Sequence, residues 1–165
     1  MPASIADFIL DAVLLGVGAT LIMDAWMLVQ TRILRWQTLD YALVGRWLGH
    51  VPQGRIAHAN IRTASPVPGE AAIGWIAHYA IGIAFAALLL AAFGLEWARQ
   101  PTLAPALIVG LGTIVVPFLV MQPCMGSGIA ASRTPNPTQA RLGSLLTHTI
   151  FGLGLYLSAV LIASL

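Results

Sequence analysis

Two histidines inside strongly apolar stretches are the first residues that could do chemistry. His78 lies within residues 74–82 and His148 within residues 144–152, and each stands four positions after a small residue and four positions before a glycine. On a helix this spacing puts all three residues on one face. Histidine changes its charge near neutral pH and is a common metal ligand, so both side chains are candidates for binding a proton or a metal ion.

Two other polar side chains interrupt apolar stretches. Asp24 follows residues 21–23, and Gln122 follows the similar residues 119–121. A carboxylate inside a membrane costs about 2.5–3.5 kcal/mol, so Asp24 is expected to face the interior of a helix bundle and to have a partner. Two purely structural explanations stay open, in which Asp24 is protonated or is paired with a loop arginine.

The elements that must position these residues are membrane-spanning helices. The chain is 58% hydrophobic and only 8% charged, far below the roughly 25% charged residues of a soluble domain. Long unbroken apolar runs exclude a β-barrel, whose strands alternate. We therefore predict an all-α fold, an integral membrane bundle of four transmembrane helices in a single domain over residues 1–165. The predicted spans cover about residues 8–31, 71–93, 103–131 and 142–165.

The long loop between the first two spans, residues 32–69, is predicted to be cytoplasmic and to carry a short amphipathic helix. Apolar residues recur at helical spacing from Tyr41 to Leu48, and such a helix is expected to lie on the inner leaflet. His50 and His58 are separated by turn residues and lack a metal-ligand spacing. Both are predicted to be solvated loop histidines.

Prolines shape the third span and the connection after it. Pro117 and Pro123 each remove a backbone donor and free a carbonyl group four residues earlier, so they are predicted to break the helix. Two further prolines stiffen residues 132–137. This short connection could present Arg133 and Asn136 to a ligand.

The arginines predict the orientation of the chain. All eight basic residues are arginines; five lie in residues 32–69, Arg133 and Arg141 lie near the next connection on the same side, and only Arg99 lies opposite. This positive-inside bias predicts a multi-pass protein of the cell inner membrane with both termini non-cytoplasmic. The basic loops are expected to contact anionic lipids at the cytoplasmic face. We expect no nucleic-acid partner, since no basic run contains interleaved aromatic residues.

With this topology, four polar residues fall at one depth. Asp24, His78, Gln122 and His148 lie about seven to ten residues from the cytoplasmic ends of their spans, and eight residues of helix cover about 12 Å. The likeness between residues 21–24 and 119–122 leaves open a chain built from two related helical hairpins.

Five blocks spread over nearly the whole chain carry a resemblance. They are YALVGRWLGH (41–50), GWIAHY (74–79), MQP (121–123), ASRTPNP (131–137) and HTIFGLGLY (148–156). They resemble the shared blocks of a bacterial family of small four-span membrane proteins that is catalogued only as a domain of unknown function. The resemblance implies a membrane location and assigns neither an activity nor functional residues.

Three classes of function remain open, and the sequence does not decide whether the protein is an enzyme. In the first, Asp24, His78, Gln122 and His148 bind or move a proton, a cation or a small polar solute. In the second, His78 and His148 ligate a haem iron, or they hold a divalent metal ion together with Asp24. The identity of any cofactor is unknown.

The third class is a lipid-headgroup enzyme or binder that uses cytoplasmic arginines, which are Arg46, Arg55, Arg62, Arg133 and Arg141. No phosphate loop, paired-carboxylate metal motif or serine elbow supports an enzyme of this kind. A structural subunit also stays open, because small residues on helix faces suffice for packing. Four short helices enclose little volume, so a homo-oligomer with a larger cavity is a further open alternative.

Overall fold

The structure is a computed structural model that describes residues 4–36 and 38–164. Within these residues the regular secondary structure is helical and contains no strand, which confirms the all-α prediction. The described residues form seven α-helices in the order α1 (Ile5–Arg32), α2 (Tyr41–His50), α3 (Glu70–Phe93), α4 (Glu96–Arg99), α5 (Leu103–Gly112), α6 (Gln122–Cys124) and α7 (Pro137–Ala163).

In the described part of the chain, four segments are long and apolar enough to cross a membrane, and they are Ile5–Arg32, Glu70–Phe93, Leu103–Cys124 and Pro137–Ala163. Their mean hydropathy lies between 1.8 and 2.4, yet only 22% to 33% of each apolar window is buried inside the protein. The remaining apolar surface needs a nonpolar solvent, which a bilayer supplies. The chain is therefore a multi-pass membrane protein, as predicted.

Local capping explains where α1 and α2 begin. The Ser4 hydroxyl oxygen accepts a hydrogen bond from the Asp7 N–H (3.1 Å), and the Asp7 carboxylate accepts one from the Ser4 N–H (2.8 Å). This capping box satisfies two donors at the start of α1. The Asp40 carboxylate accepts from the Ala42 N–H (3.0 Å) at the start of α2. Helix α2 is the short helix that the loop sequence predicted.

The third apolar segment is interrupted where its prolines predicted a break. Helix α5 ends at Gly112, the backbone continues as a π-helical turn at Pro117–Met121, and α6 adds only Gln122–Cys124. Each proline lacks the N–H that a continuous helix needs. Beyond α6, Gly126 has φ +91°, a conformation that favours glycine. The candidate span therefore ends at Cys124, several residues before the predicted end at residue 131.

The chain divides into two compact units, and the first contains residues 1–36, 79–113 and 145–165. Glycines let its helices approach closely. A Cβ at Gly16 would overlap the backbone of Ile83, and one at Gly110 would lie 2.6 Å from the Gly152 Cα. The buried apolar core of this unit is Ala12, Leu15, Ala19, Ala86, Leu89, Leu90, Trp97, Ala98, Ala106, Val109, Phe151, Leu155 and Ala159.

The second unit contains residues 37–78 and 114–144. Its buried apolar core is formed by Leu43, Val44, Ile61 and Met125. Two backbone hydrogen bonds join the loop after α2 to the last residue of α6 and the residue that follows it. The His58 N–H donates to the Cys124 carbonyl (2.8 Å), and the Ile61 N–H donates to the Met125 carbonyl (3.1 Å). The single membrane domain stays a prediction.

Candidate functional site

In the first unit, Asp24 of α1 has a defined partner on α3. The Tyr79 hydroxyl donates a hydrogen bond to the Asp24 Oδ2 atom at 2.8 Å. Both side chains are half-buried, and both lie inside segments apolar enough to cross a membrane. An acidic side chain in such a segment is a functional candidate, and the phenol hydroxyl stabilises it there.

His148 of α7 is held by the end of α5 in the same unit. Its Nδ1 atom lies 3.0 Å from the Gly110 carbonyl oxygen and 3.2 Å from the Thr113 Oγ1 atom. Because a carbonyl oxygen can only accept, Nδ1 carries a hydrogen in this arrangement and Nε2 is the nitrogen that takes up a proton. The Thr113 hydroxyl also donates to the Gly110 carbonyl (2.8 Å).

The second unit contains His78, which is packed among aromatic rings. Its imidazole stacks on Tyr41 with ring centroids 4.1 Å apart, and it meets the Trp75 ring edge to face at 5.7 Å. His78 is only 8% exposed. The glycines on both facing helices permit this packing, because a Cβ at Gly74 would overlap the Tyr41 carbonyl and one at Gly45 would overlap the Glu70 carbonyl.

Gln122 also belongs to the second unit and lies at the start of α6. Its Oε1 atom is buried and has no hydrogen-bond partner among the residues that the structure describes. A buried acceptor without a partner is costly, so it is a candidate position for a bound polar group. Asp24 and His148 thus fall in one unit, and His78 and Gln122 in the other. The single polar layer stays a prediction.

The guanidinium of Arg46 in α2 forms its contacts with other groups of the protein. Its Nε and Nη2 atoms donate to the two carboxylate oxygens of Glu70 at 2.9 and 2.7 Å, in a bidentate ion pair. Its Nη1 atom lies 3.2 Å from the Ala64 carbonyl and 3.3 Å from that of Arg62. The hydrogen bond to Glu70 raises the pKa of the guanidinium above its ordinary value. Arg46 therefore fastens the loop to the start of α3.

Arg133 and Asn136 occupy different settings in the connection before α7. Arg133 is exposed and lines an open cleft of about 380 Å³ together with Pro123, Ile129 and Ser132. Asn136 precedes the first residue of α7, and its Oδ1 atom accepts from the Gln139 N–H at 3.3 Å. Asn136 thus has the role of a helix cap, whereas the guanidinium of Arg133 is accessible to a ligand.

The loop histidines differ from the sequence-based prediction. His50 is only 3% exposed, so the prediction that it is solvated is wrong. Its Nδ1 atom lies 2.9 Å from the Nε2 atom of His58, and the two rings stack with centroids 5.0 Å apart. Sequence analysis did not predict this pair, because the turn residues between the two histidines do not show that the chain folds back. It also missed Tyr79, although this residue is adjacent to His78.

The metal alternative was assigned to His78, His148 and Asp24. Among the described residues, no group of three or more His, Cys, Asp or Glu side chains is arranged to hold a metal ion. A two-histidine haem site does not require a third side chain of these types.

The profile of one protein family, described as "Protein of unknown function (DUF2938)", matches residues 13–162. This match covers nearly the whole chain and confirms the resemblance carried by the five sequence blocks. No curated protein and no solved structure matches the chain.

Proposed function

The chain belongs to this family of proteins of unknown function, and we propose that it binds or moves a proton, a cation or a small polar solute through polar and ionisable side chains of its membrane-spanning segments. The residues assigned to this function are Asp24, His78, Gln122 and His148. The family description names no activity, so the proposal depends on the chemistry of these residues alone.

The hydrogen bond between Tyr79 and Asp24 is the observation that carries the proposal. An acidic side chain in an apolar helix is costly, and it is retained most readily where it binds or transfers something. A carboxyl group accepts a proton or coordinates a cation. A phenol partner keeps the carboxyl group oriented as the proton or cation binds and leaves. A purely structural polar residue would need no ionisable group at this position.

His148 supplies a second titratable group in the same unit. Its Nδ1–H is engaged by the Gly110 carbonyl at 3.0 Å, which fixes the tautomer and leaves Nε2 as the basic nitrogen. In the second unit, the Gln122 Oε1 atom has no hydrogen-bond partner within the described part of the chain and adds an acceptor for a cation or for a polar solute. The first unit thus offers a carboxylate and an imidazole, and the second offers an imidazole and an amide, all of which are groups that such ligands require.

We further propose a location in the cell inner membrane with both termini non-cytoplasmic. The support is the arginine distribution, in which residues 32–69 contain five of the eight arginines. Reporter fusions at each terminus test it, with alkaline phosphatase active only outside the cytoplasm and green fluorescent protein fluorescent only inside. Fluorescence of green fluorescent protein fused to the termini would show that the termini are cytoplasmic and would contradict the proposed orientation.

The function is tested with purified protein in liposomes that contain a pH-sensitive dye. We expect a proton or cation flux that Asp24→Asn and His148→Gln each reduce at least about tenfold. The matched control is Asp11→Asn, which makes the same chemical change nearer the start of the same helix. Flux that survives both substitutions, or that Asp11→Asn removes equally, would refute the assignment of these residues. Uptake of labelled small polar solutes is measured on the same vesicles.

A further inference from the structure

The second unit contains an open cleft, and its lining includes none of the residues assigned to the proposed function. Its volume is about 390 Å³, and it lies where the loop after α2 folds back on the end of that helix. The polar residues that line it are His50, Arg55, His58, Asn60, Thr63 and Ser65. None of the residues described as lining this cleft is acidic. Such a lining favours an anion over a cation.

The donors in the cleft are of different kinds. Arg55 is exposed, and its guanidinium offers a planar set of N–H groups that matches phosphate or carboxylate oxygens. Asn60 uses its Oδ1 atom to accept from the Arg62 N–H at 2.9 Å, which leaves its amino group for a ligand. The Ser65 hydroxyl adds a further donor.

The histidine pair adds an unusual hydrogen-bonding group to the same cleft. With the His50 Nδ1 and His58 Nε2 atoms 2.9 Å apart, one nitrogen donates and the other accepts, so the proton between them can lie on either ring. The remaining nitrogen of His58, Nδ1, is buried and has no hydrogen-bond partner among the described residues. With the shared proton on His50, the His58 ring carries its hydrogen on Nδ1, and this N–H can donate to a phosphate oxygen.

The cleft is held in place by the backbone around it. The Arg55 N–H donates to the His50 carbonyl (3.2 Å), and the His58 N–H donates to the Cys124 carbonyl (2.8 Å). The Trp47 indole N–H donates to the Ile56 carbonyl (2.7 Å). These bonds fix the residues on both sides of Arg55, so the donors are arranged before a ligand binds.

We propose that this cleft binds a phosphate group, with Arg55 as its charged partner and the His50–His58 pair as its hydrogen-bonding partner. The phosphate comes from an anionic lipid headgroup or from free phosphate, since both present the same oxygens. This site shares no residue with the proposed function, so each can fail without the other.

The test uses the full-length protein in mild detergent, titrated with inorganic phosphate by isothermal titration calorimetry, with chloride at equal ionic strength as reference. In parallel, the protein is placed in nanodiscs of phosphatidylcholine with or without phosphatidic acid, and bound lipid is counted by native mass spectrometry. The variant is Arg55→Gln. The matched control is Arg62→Gln, which removes the same charge from an exposed loop position outside the lining of the cleft.

We expect saturable binding that Arg55→Gln weakens at least about tenfold, a factor that corresponds to about 1.4 kcal/mol, and that Arg62→Gln leaves within about twofold. Binding of inorganic phosphate assigns the site to free phosphate, and retention of phosphatidic acid alone assigns it to a lipid headgroup. Absence of both kinds of binding overturns the proposal. Equal losses in the two variants also overturn it, because diffuse positive charge would then explain the binding. Circular dichroism verifies that both variants are folded.

Discussion

A double-mutant cycle on Tyr79 and Asp24 tests whether these two side chains interact in the membrane-embedded protein. The variants are Tyr79→Phe, Asp24→Ala and their combination, and the cycle isolates the free energy of the pair. Hydrogen bonds between transmembrane helices average about 0.6 kcal/mol and reach about 1.7 kcal/mol. The oxygen atoms of this pair are 2.8 Å apart, an ordinary O–H···O length. We therefore expect a coupling of about 1 kcal/mol.

The assay is reversible unfolding in mixed micelles with increasing dodecyl sulfate, followed by circular dichroism at one pH. Tyr156→Phe combined with Asp24→Ala provides the control, because it removes a phenol hydroxyl from α7 instead of α3, and its effects should add. A Tyr79–Asp24 coupling below about 0.3 kcal/mol would fall within the error of additivity. That result would refute the hydrogen bond and remove the observation on which the proposed function depends.

Three further predictions concern packing, the ion pair and cofactors. Gly110→Ala should lower the free energy of unfolding by about 1–3 kcal/mol, because the added Cβ would overlap the backbone of α7. Gly112→Ala should leave the free energy of unfolding unchanged, because its added Cβ meets nothing within 4 Å. Chemical denaturation measures both. Arg46→Lys should lower the thermal midpoint by a few degrees, since lysine keeps the charge but cannot form the bidentate pair. Purified protein should show neither a Soret band nor stoichiometric metal in absorbance and elemental analysis; a band that disappears in a His78→Ala, His148→Ala variant would support haem ligation instead.

The helices could be predicted from sequence because hydropathy and length are local properties. The apolar runs predicted four spans, and Pro117 predicted the break after α5. The π-helical form of Pro117–Met121 could not be predicted, since it depends on which carbonyl groups the interrupted backbone finds as partners. The predicted third span extends to residue 131, past the end of the helical segment at Cys124, because the apolar run continues beyond the point where Gly126 turns the chain.

The partners of the polar residues could not be predicted, because each depends on how a helix is rotated about its axis. Tyr79 meets Asp24 across a separation of 55 residues, and the close contact of Gly16 with Ile83 helps to fix the facing surfaces of α1 and α3. His50 is buried because the chain folds back to bring His58 against it. Neither fact is contained in a local pattern of apolar and polar residues.

The glycines beside the two intramembrane histidines explain why both histidines are at helix contacts. A Cβ at Gly74 would overlap the backbone of α2, and a Cβ at Gly152 would lie 2.9 Å from the Ala106 carbonyl of α5. A residue four positions from a contact glycine lies on the same face, so His78 and His148 must also face the neighbouring helix. Their aromatic and carbonyl partners follow from this placement. The shared motif is therefore first a packing motif, and it gives the histidines different chemistry because different helices pack against them.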